Sequence, residues 1–344
     1  MKVRPCVALF IFLLTKEHKN GIIKTESTIA AISLMAKGLF LRLWLKRLRL
    51  ATLQAQSVYN KVKPKTRENS MYYRHNLDYT YPAKSDEHMI TVKHLRDTHF
   101  DENYDYIPRG FKGWFLRSTF WLLGNFLGVP VCAIRHGVKV YGRKNLKKYK
   151  KELKGGAITI SNHVLMWDFL CVKNAIGLRQ LYFPGWKTNF EGPNGPLIRW
   201  AGGIPVPTDN FRAMAKFGRA MDEVLERGDW LHFFPEGSMW FYYPDIRPLK
   251  KAVFQLAVRH NKPIIPISIS FRPRRGIEKL FGKRPLADVH IGEPLFPSKE
   301  LDKSEAAETL RRDAYKIMQE MNGIMPGDPT YNEDQSIENY KSTM

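Results

Sequence analysis

From Gly137 onward the chain alternates short apolar runs with longer helical patterns, and no other feature of the sequence limits its fold so tightly. The runs "VKVYG", "AITIS", "QLYFP", "GGIPVP", "WLHFFPEG", "PIIPISISF" and "DVHIGEP" have strand length, and helical patterns fall between or after them at about 169–176, 210–226, 249–259 and 304–321. Strand, crossover and strand repeated in this way predict an α/β fold with a mixed, largely parallel sheet flanked by helices. Ligands in such sheets bind where strands end and loops begin. At those ends stand His163 after "AITIS", Thr208 to Asn210 after "GIPV", and Glu236 with Gly237 after "WLHFF".

The first third of the chain carries membrane signals instead. An apolar run at residues 6–14 is too short to span a bilayer, which takes about 20 residues. Residues 28–53 place Leu34, Leu41, Leu45 and Leu48 at helical spacing among Lys37, Arg42, Lys46, Arg47 and Arg49, the pattern of a basic amphipathic helix. Such a helix lies on an anionic leaflet or packs on the protein's own core. Residues 57–109 are polar and turn-rich, and read as a connecting region. Residues 118–134 hold no charge and are flanked by Arg117 and Arg135. Gly124, Gly128 and Pro130 interrupt them, which favours a monotopic or re-entrant helix over a straight span, with Trp114 and Trp121 at headgroup level. The expected organisation is a membrane-associating and connecting region at 1–135, an α/β domain at 136–325 and a polar tail at 326–344.

Charge separates the remaining classes of partner. With 55 Lys and Arg against 33 Asp and Glu, a net charge of +22 implies a polyanionic surface. The aromatic, uncharged stretches point to an anionic membrane, and no nucleic-acid-binding module is recognisable. Cys6, Cys132 and Cys171 lack CxxC spacing, so neither a disulfide framework nor a thiolate metal site is indicated, and a reducing, cytoplasm-facing location follows. No GxxxxGK[ST] or HExxH pattern occurs, and no metal or bound cofactor is expected.

The stretch "ISNHVLMWDF" puts His163 and Asp168 five positions apart. In a regular helix five residues turn about 140° past a full revolution, so the pair meets only if His163 sits in a loop and Asp168 enters the next helix. A substrate alcohol needs a base to attack at neutral pH, and a carboxylate on the far ring nitrogen fixes the imidazole's tautomer. The alternative is a helix-capping aspartate beside a satisfied histidine.

Three further blocks accompany this one. "NHVLMWD" resembles the NHxxxxD (HX4D) block of the glycerolipid acyltransferases, the PlsC-like lysophosphatidate acyltransferase superfamily; "GGIPVPTDN", "FPEGS" and "IIPISI" are similar to the family's later blocks, in order. The resemblance covers roughly residues 137–294. It implies membrane-associating N-terminal helices and transfer of a fatty acyl group, in phospholipid biosynthesis, from acyl-CoA or acyl carrier protein to the hydroxyl of a lysophosphatidate-like lipid. By the resemblance His163 is the general base and Asp168 its support. Glu236 and Gly237 help hold the acceptor, Pro235 stiffens their turn, Ser238 completes the set, and Pro266 shapes the acyl-donor side. Two positions where the family carries a phosphate-binding arginine are Thr208 and Met239. Arg212 and Lys216, one helical turn apart, and Arg247 are the candidate replacements, with ordinary surface charge as the alternative. The losses leave open an acceptor with another headgroup, or a lipid-binding protein on the same fold without turnover.

Overall fold

In a computed structural model of the chain, the described residues run from 73 to 335, apart from positions 74, 76, 86, 209, 329 and 334. The apolar run at 6–14 and the amphipathic pattern at 28–53 lie outside them. The described residues fall in one compact unit. Its elements are α1 (Gly110–Leu123), a π-helical turn (Gly124–Gly128), α2 (Val129–His136), β1 (Lys139–Tyr141), α3 (Arg143–Lys148), β2 (Ile158–Ser161), α4 (Asp168–Ile176) and β3 (Leu181–Trp186). There follow α5 (Lys187–Glu191), α6 (Gly195–Trp200), β4 (Gly203–Val206), α7 (Phe211–Glu226), β5 (Trp230–Phe233), α8 (Ala252–His260), β6 (Ile264–Arg272), a 3-10 turn (Gly276–Phe281), β7 (Leu286–Ile291) and α9 (Lys303–Met321).

The strands form one seven-stranded sheet in the order β1-β7-β6-β2-β5-β3-β4. Every neighbouring pair is parallel except β6 and β7, so the sheet is mixed and largely parallel, as the alternation predicts. Helices cover both faces because the central strands are apolar on both sides. Ile158, Ile160, Leu231 and Ile264 face a core completed by Val224 and Leu225 of α7, Phe254 of α8 and Met318 of α9. One residue along, Ile265, Ile267 and Ile269 point into a second core with Val172 and Ala175 of α4. Each such fully buried side chain contributes about 1.5–3 kcal/mol relative to exposure. The helix starts are set by their caps: Asn210 accepts from Ala213 N ahead of α7, and Asp302 from Ser304 N and Glu305 N ahead of α9.

Parallel pairing gives β2, β3, β4, β5 and β6 a common carboxyl edge. Ser161 is level with Ile267, and β6 continues to Arg272 before β7 returns antiparallel with Leu286 opposite Arg272. The turn at 273–285 therefore stands on the same edge as the loops that follow β2 and β5.

The stretch from Gly110 to His136 is one continuous helix, long and apolar enough to cross a membrane. The interruption expected at Gly124, Gly128 and Pro130 takes the form of the π-helical turn, and Pro130 falls in the first turn of α2, where its missing N–H is tolerated. Its inner side rests on α4: a Cβ on Gly128 would lie 3.6 Å from the Leu170 methyls, and the Cys132 and Cys171 sulfurs are 3.8 Å apart. Phe111, Trp114, Phe115, Leu122 and Ile134 are exposed on the other side.

Two segments expected to be peripheral are packed. Within the region read as a connector, Tyr81 stacks on Trp240 at 5.3 Å and Tyr106 is buried. In the tail, Gln335 accepts from Leu249 N at 3.1 Å and Asn332 N donates to Gln319 at 2.9 Å. Tyrosine rings and amide side chains supply these contacts, and neither leaves an apolar periodicity to read.

Candidate functional site

At the carboxyl end of β2, Asn162 replaces strand pairing with its side chain. Its amide donates to Ile269 O and accepts from Ile269 N, both at 2.8 Å, so the chain leaves the sheet in a fixed direction. His163 is the next residue. Its carbonyl accepts from Trp240 N at 2.9 Å, and the Val164 carbonyl from Tyr242 N at 2.9 Å. These bonds join the loop after β2 to the one after β5.

The His163 ring stands in that loop and Asp168 is the first residue of α4, the arrangement the five-residue spacing requires. Nδ1 of His163 is 2.6 Å from Oδ2 of Asp168. The same oxygen accepts from Val164 N at 3.1 Å and Leu165 N at 3.4 Å. An acceptor-only carboxylate at a helix N-terminus assigns the proton to Nδ1 and leaves the lone pair on Nε2. The side chain of His163 is 24% exposed and that of Asp168 only 2%, so the imidazole can meet a substrate and the carboxylate cannot. Phe234 lies against the ring, with centroids 3.9 Å apart and planes at 14°.

Beneath Phe234 lies His232, a residue without any recognisable motif. It is fully buried in β5, opposite Thr159 of β2, with Nδ1 3.0 Å from Thr159 Oγ1 and Nε2 3.4 Å from Ser161 Oγ. Its ring meets Phe234 edge-on at 4.4 Å. Burial, with a further contribution from His163, pushes its pKa down from 6.5 to about 3, so it is neutral at physiological pH.

The "FPEGS" block departs from expectation. Pro235 and Glu236 occupy a tight turn closed by Gly237 N donating to Phe234 O at 3.0 Å, and the Pro235 carbonyl accepts from Lys250 N at 2.8 Å. Glu236 does not face an acceptor site: its side chain has no exposed surface. One oxygen accepts from His163 N at 3.0 Å and from Arg247 Nη2 at 2.8 Å, the other from Arg247 N at 2.9 Å. Arg247 is neither a surface charge nor a phosphate ligand, being fully buried itself. Its guanidinium also donates to Ser238 Oγ at 2.9 Å, to the Ser238 carbonyl and to the Ser85 carbonyl, and lies over the Trp240 ring at 4.5 Å. Ser238 is buried in this network and holds Arg247 in place of a substrate. Arginine suits the position because its planar fork satisfies several oxygens at once.

Gly237 is the exposed residue of the turn. Its φ of +89° favours glycine, and a Cβ there would lie 2.9 Å from Cε and Nζ of Lys250. Lys250, an exposed residue 14 positions after Glu236 and outside every sequence block, therefore brings its ammonium beside the motif. Pro266 is buried inside β6, level with Ile160, and its carbonyl accepts from Gly292 N at 2.9 Å; it shapes the sheet and does not reach an opening. Met239 is buried, and Thr208 is exposed just past β4. Arg212, at the start of α7, is mostly exposed and 4.0 Å from Glu102, with Lys216 one turn on. Because β4 lies three strands from β2 in the sheet, these two cations stand on the carboxyl edge about 14 Å along it from His163.

Residues 137–270 match the family model for acyltransferases. Among solved structures, the 1-acyl-sn-glycerophosphate (LPA) acyltransferase PlsC from Thermotoga maritima aligns with 60% of this chain and 88% of its own, at 19% identity and a TM-score of 0.38. The matched region contains β2, α4 and β5 with the loops that bear His163, Asp168 and Glu236, so the part of the chain that carries the candidate site is similar to the acyltransferase family.

Proposed function

We propose that the protein moves a fatty acyl group from a thioester, acyl-CoA or acyl carrier protein, to the free hydroxyl of a lysophosphatidate-like glycerolipid, at the cytoplasmic face of a membrane and in phospholipid synthesis. The observation that carries this reading is the 2.6 Å contact between His163 Nδ1 and a buried Asp168, with the imidazole open to solvent. Nε2 of His163 takes the proton of the acceptor hydroxyl as its oxygen attacks the thioester carbonyl. The tetrahedral intermediate collapses with loss of the thiolate, which takes the proton back from His163; an ester and a free thiol result. Asp168 stabilises the imidazolium in between, and Phe234 with the Glu236 bond to His163 N keeps the ring aimed. The exposed apolar side of the helix from Gly110 to His136 supports membrane association.

In this reading Lys250 beside Gly237 is the first candidate for the acceptor's phosphate, with Arg212 and Lys216 further along the edge. One observation favours a different headgroup: Thr208 and Met239 are neutral and Arg247 is committed to Glu236, so no arginine fork faces the opening at those positions. The test is transfer from labelled acyl-CoA and acyl carrier protein to a panel of lysophospholipids, beside His163→Ala. Transfer to lysophosphatidate that the substitution abolishes supports the reading. Transfer to another lysophospholipid alone replaces the acceptor, and equal transfer by His163→Ala removes the base from the mechanism.

A further inference from the structure

The turn between β6 and β7 lies beyond the region matched by the family and combines exposed apolar side chains with a dense run of cations. Its sequence, "RPRRGIEKLFGKRP", places Arg272, Arg274, Arg275, Lys279, Lys283 and Arg284 around a single acidic residue, Glu278. Within it Ile277, Leu280 and Phe281 are 71%, 81% and 75% exposed, on a 3-10 turn where neither a helix face nor a strand partner can cover them. Three large apolar side chains side by side within a ring of cations form neither a core nor an ordinary solvated loop.

The turn is built to hold this shape. Arg274 donates to the Arg284 carbonyl at 2.7 Å and to the Glu278 carbonyl at 3.1 Å, which closes the loop at its base, while Glu278 caps its own turn through Arg275 N at 3.0 Å. Arg272 donates to Gly137 O at 2.8 Å, which ties the base to the end of α2, one turn from Ile134 at 83% exposure. Arg284 lies over the Tyr242 ring at 5.9 Å, and Tyr242 N bonds the carbonyl of Val164, the neighbour of His163. The tip thus stands on the carboxyl edge of the sheet, beyond the active-site loops and next to the exposed side of the apolar helix.

We propose that residues 273–285 form a second lipid-contacting element, in which Ile277, Leu280 and Phe281 enter the interface of an anionic bilayer and Arg275, Lys279 and Lys283 meet its headgroups. The inference rests on the membrane reading above and assigns it a surface: the edge bearing His163 faces the lipid, where a lysolipid acceptor resides. Apolar insertion and attraction to anionic headgroups add together, and each cation near such a surface strengthens binding about fivefold.

The test uses the full chain with an environment-sensitive fluorophore at Leu280→Cys in a Cys6→Ser background, since Cys132 and Cys171 are buried. With vesicles of phosphatidylcholine and phosphatidylglycerol the emission should shift to the blue and be quenched by nitroxide carried on the lipid chains. Phosphatidylcholine alone should give a weak response, and Arg275→Gln/Lys279→Gln/Lys283→Gln should lower affinity for the anionic vesicles by about a hundredfold. Co-sedimentation with an unshifted label, equal response to neutral vesicles, or no binding to either would overturn the proposal. So would a label already shielded before lipid is added, which would assign the patch to another segment of the chain or a second copy. Acyl transfer to a short-chain lysolipid dispersed as monomers separates this from the catalytic reading. Ile277→Ser/Leu280→Ser/Phe281→Ser should retain that transfer and lose at least about tenfold with vesicle-borne acceptor; equal losses in both would place the turn's role in the site itself and refute docking.

Discussion

Removing the Glu236 carboxylate should unfold the protein more readily before it weakens acceptor binding. The carboxylate accepts from His163 N, Arg247 N and Arg247 Nη2 at 3.0, 2.9 and 2.8 Å, with no exposed surface on either partner's side chain. Glu236→Ala leaves a buried guanidinium that keeps oxygens of Ser238 and Ser85 and the face of Trp240 but has lost its counter-ion. Breaking a buried pair in this way costs about 3–5 kcal/mol, whereas loss of an exposed acceptor-binding carboxylate would leave stability within about 0.5 kcal/mol. Urea unfolding in detergent should show the large loss, with His163→Ala as a control near wild type. Arg247→Met combined with Glu236→Ala should recover more than about 1 kcal/mol of the summed losses, because the uncompensated charge is gone. An unchanged unfolding midpoint for Glu236→Gln together with a raised KM for the lysolipid would refute the buried-buttress role and return the residue to the acceptor.

Four further outcomes follow from the same geometry. Asp168→Asn should lower kcat by about 10²–10⁴ at little change in KM, measured by steady-state transfer, because the imidazolium loses its partner. Gly237→Ala should cost about 1–2 kcal/mol in urea unfolding, from its φ of +89°; by displacing the Lys250 ammonium it should also raise KM for a phosphate-bearing acceptor. His232 is held neutral in the fold with its pKa near 3 against 6.5 for the free side chain, so the unfolded chain binds a proton that the fold refuses across that window. Stability should therefore fall by about 1.4 kcal/mol per pH unit as pH drops below 6.5, and His232→Asn should flatten this slope in pH-dependent denaturation. Lys250→Ala should raise KM for lysophosphatidate and leave kcat for a neutral acceptor unchanged in the lysolipid panel.

The sheet was legible because the central strands are apolar on both faces and their helices carry strong periodicity, as with Asn210 capping α7. The His163–Asp168 pair was legible because its spacing allows one productive geometry, a loop followed by a helix start. The remainder of the site depends on partners far away in sequence. Glu236 and Arg247 pair across 11 positions, and the carbonyl of Ser85 that completes Arg247 comes from 162 positions upstream. A carboxylate or guanidinium in a motif carries no mark of whether it faces substrate or core, so the motif alone points Glu236, Arg247 and Ser238 outward while the fold turns them inward. His232 was hidden for a different reason: in "WLHFF" it is one polar residue in a buried apolar strand, and only the register with Thr159 reveals its polar partners.

The inward turn of Arg247 changes what the rest of the surface must do. Its fork holds the segment before α1 through Ser85, the "FPEGS" block through Ser238 and Glu236, and by way of Glu236 the main chain of His163. A cation used in this way fixes the distance between the two loops but cannot read a headgroup, and in the proposed reaction that task passes to Lys250, Arg212 and Lys216. The two elements proposed to contact lipid reach the same centre by short routes. Helix α2 rests on α4 through Leu170 and Cys171, three positions or fewer from Asp168, and the turn at 273–285 meets Tyr242, whose N–H bonds the residue after His163. If these elements contact lipid as proposed, a shift of either would reach the 2.6 Å contact between His163 and Asp168, so vesicle binding should alter kcat as well as acceptor KM.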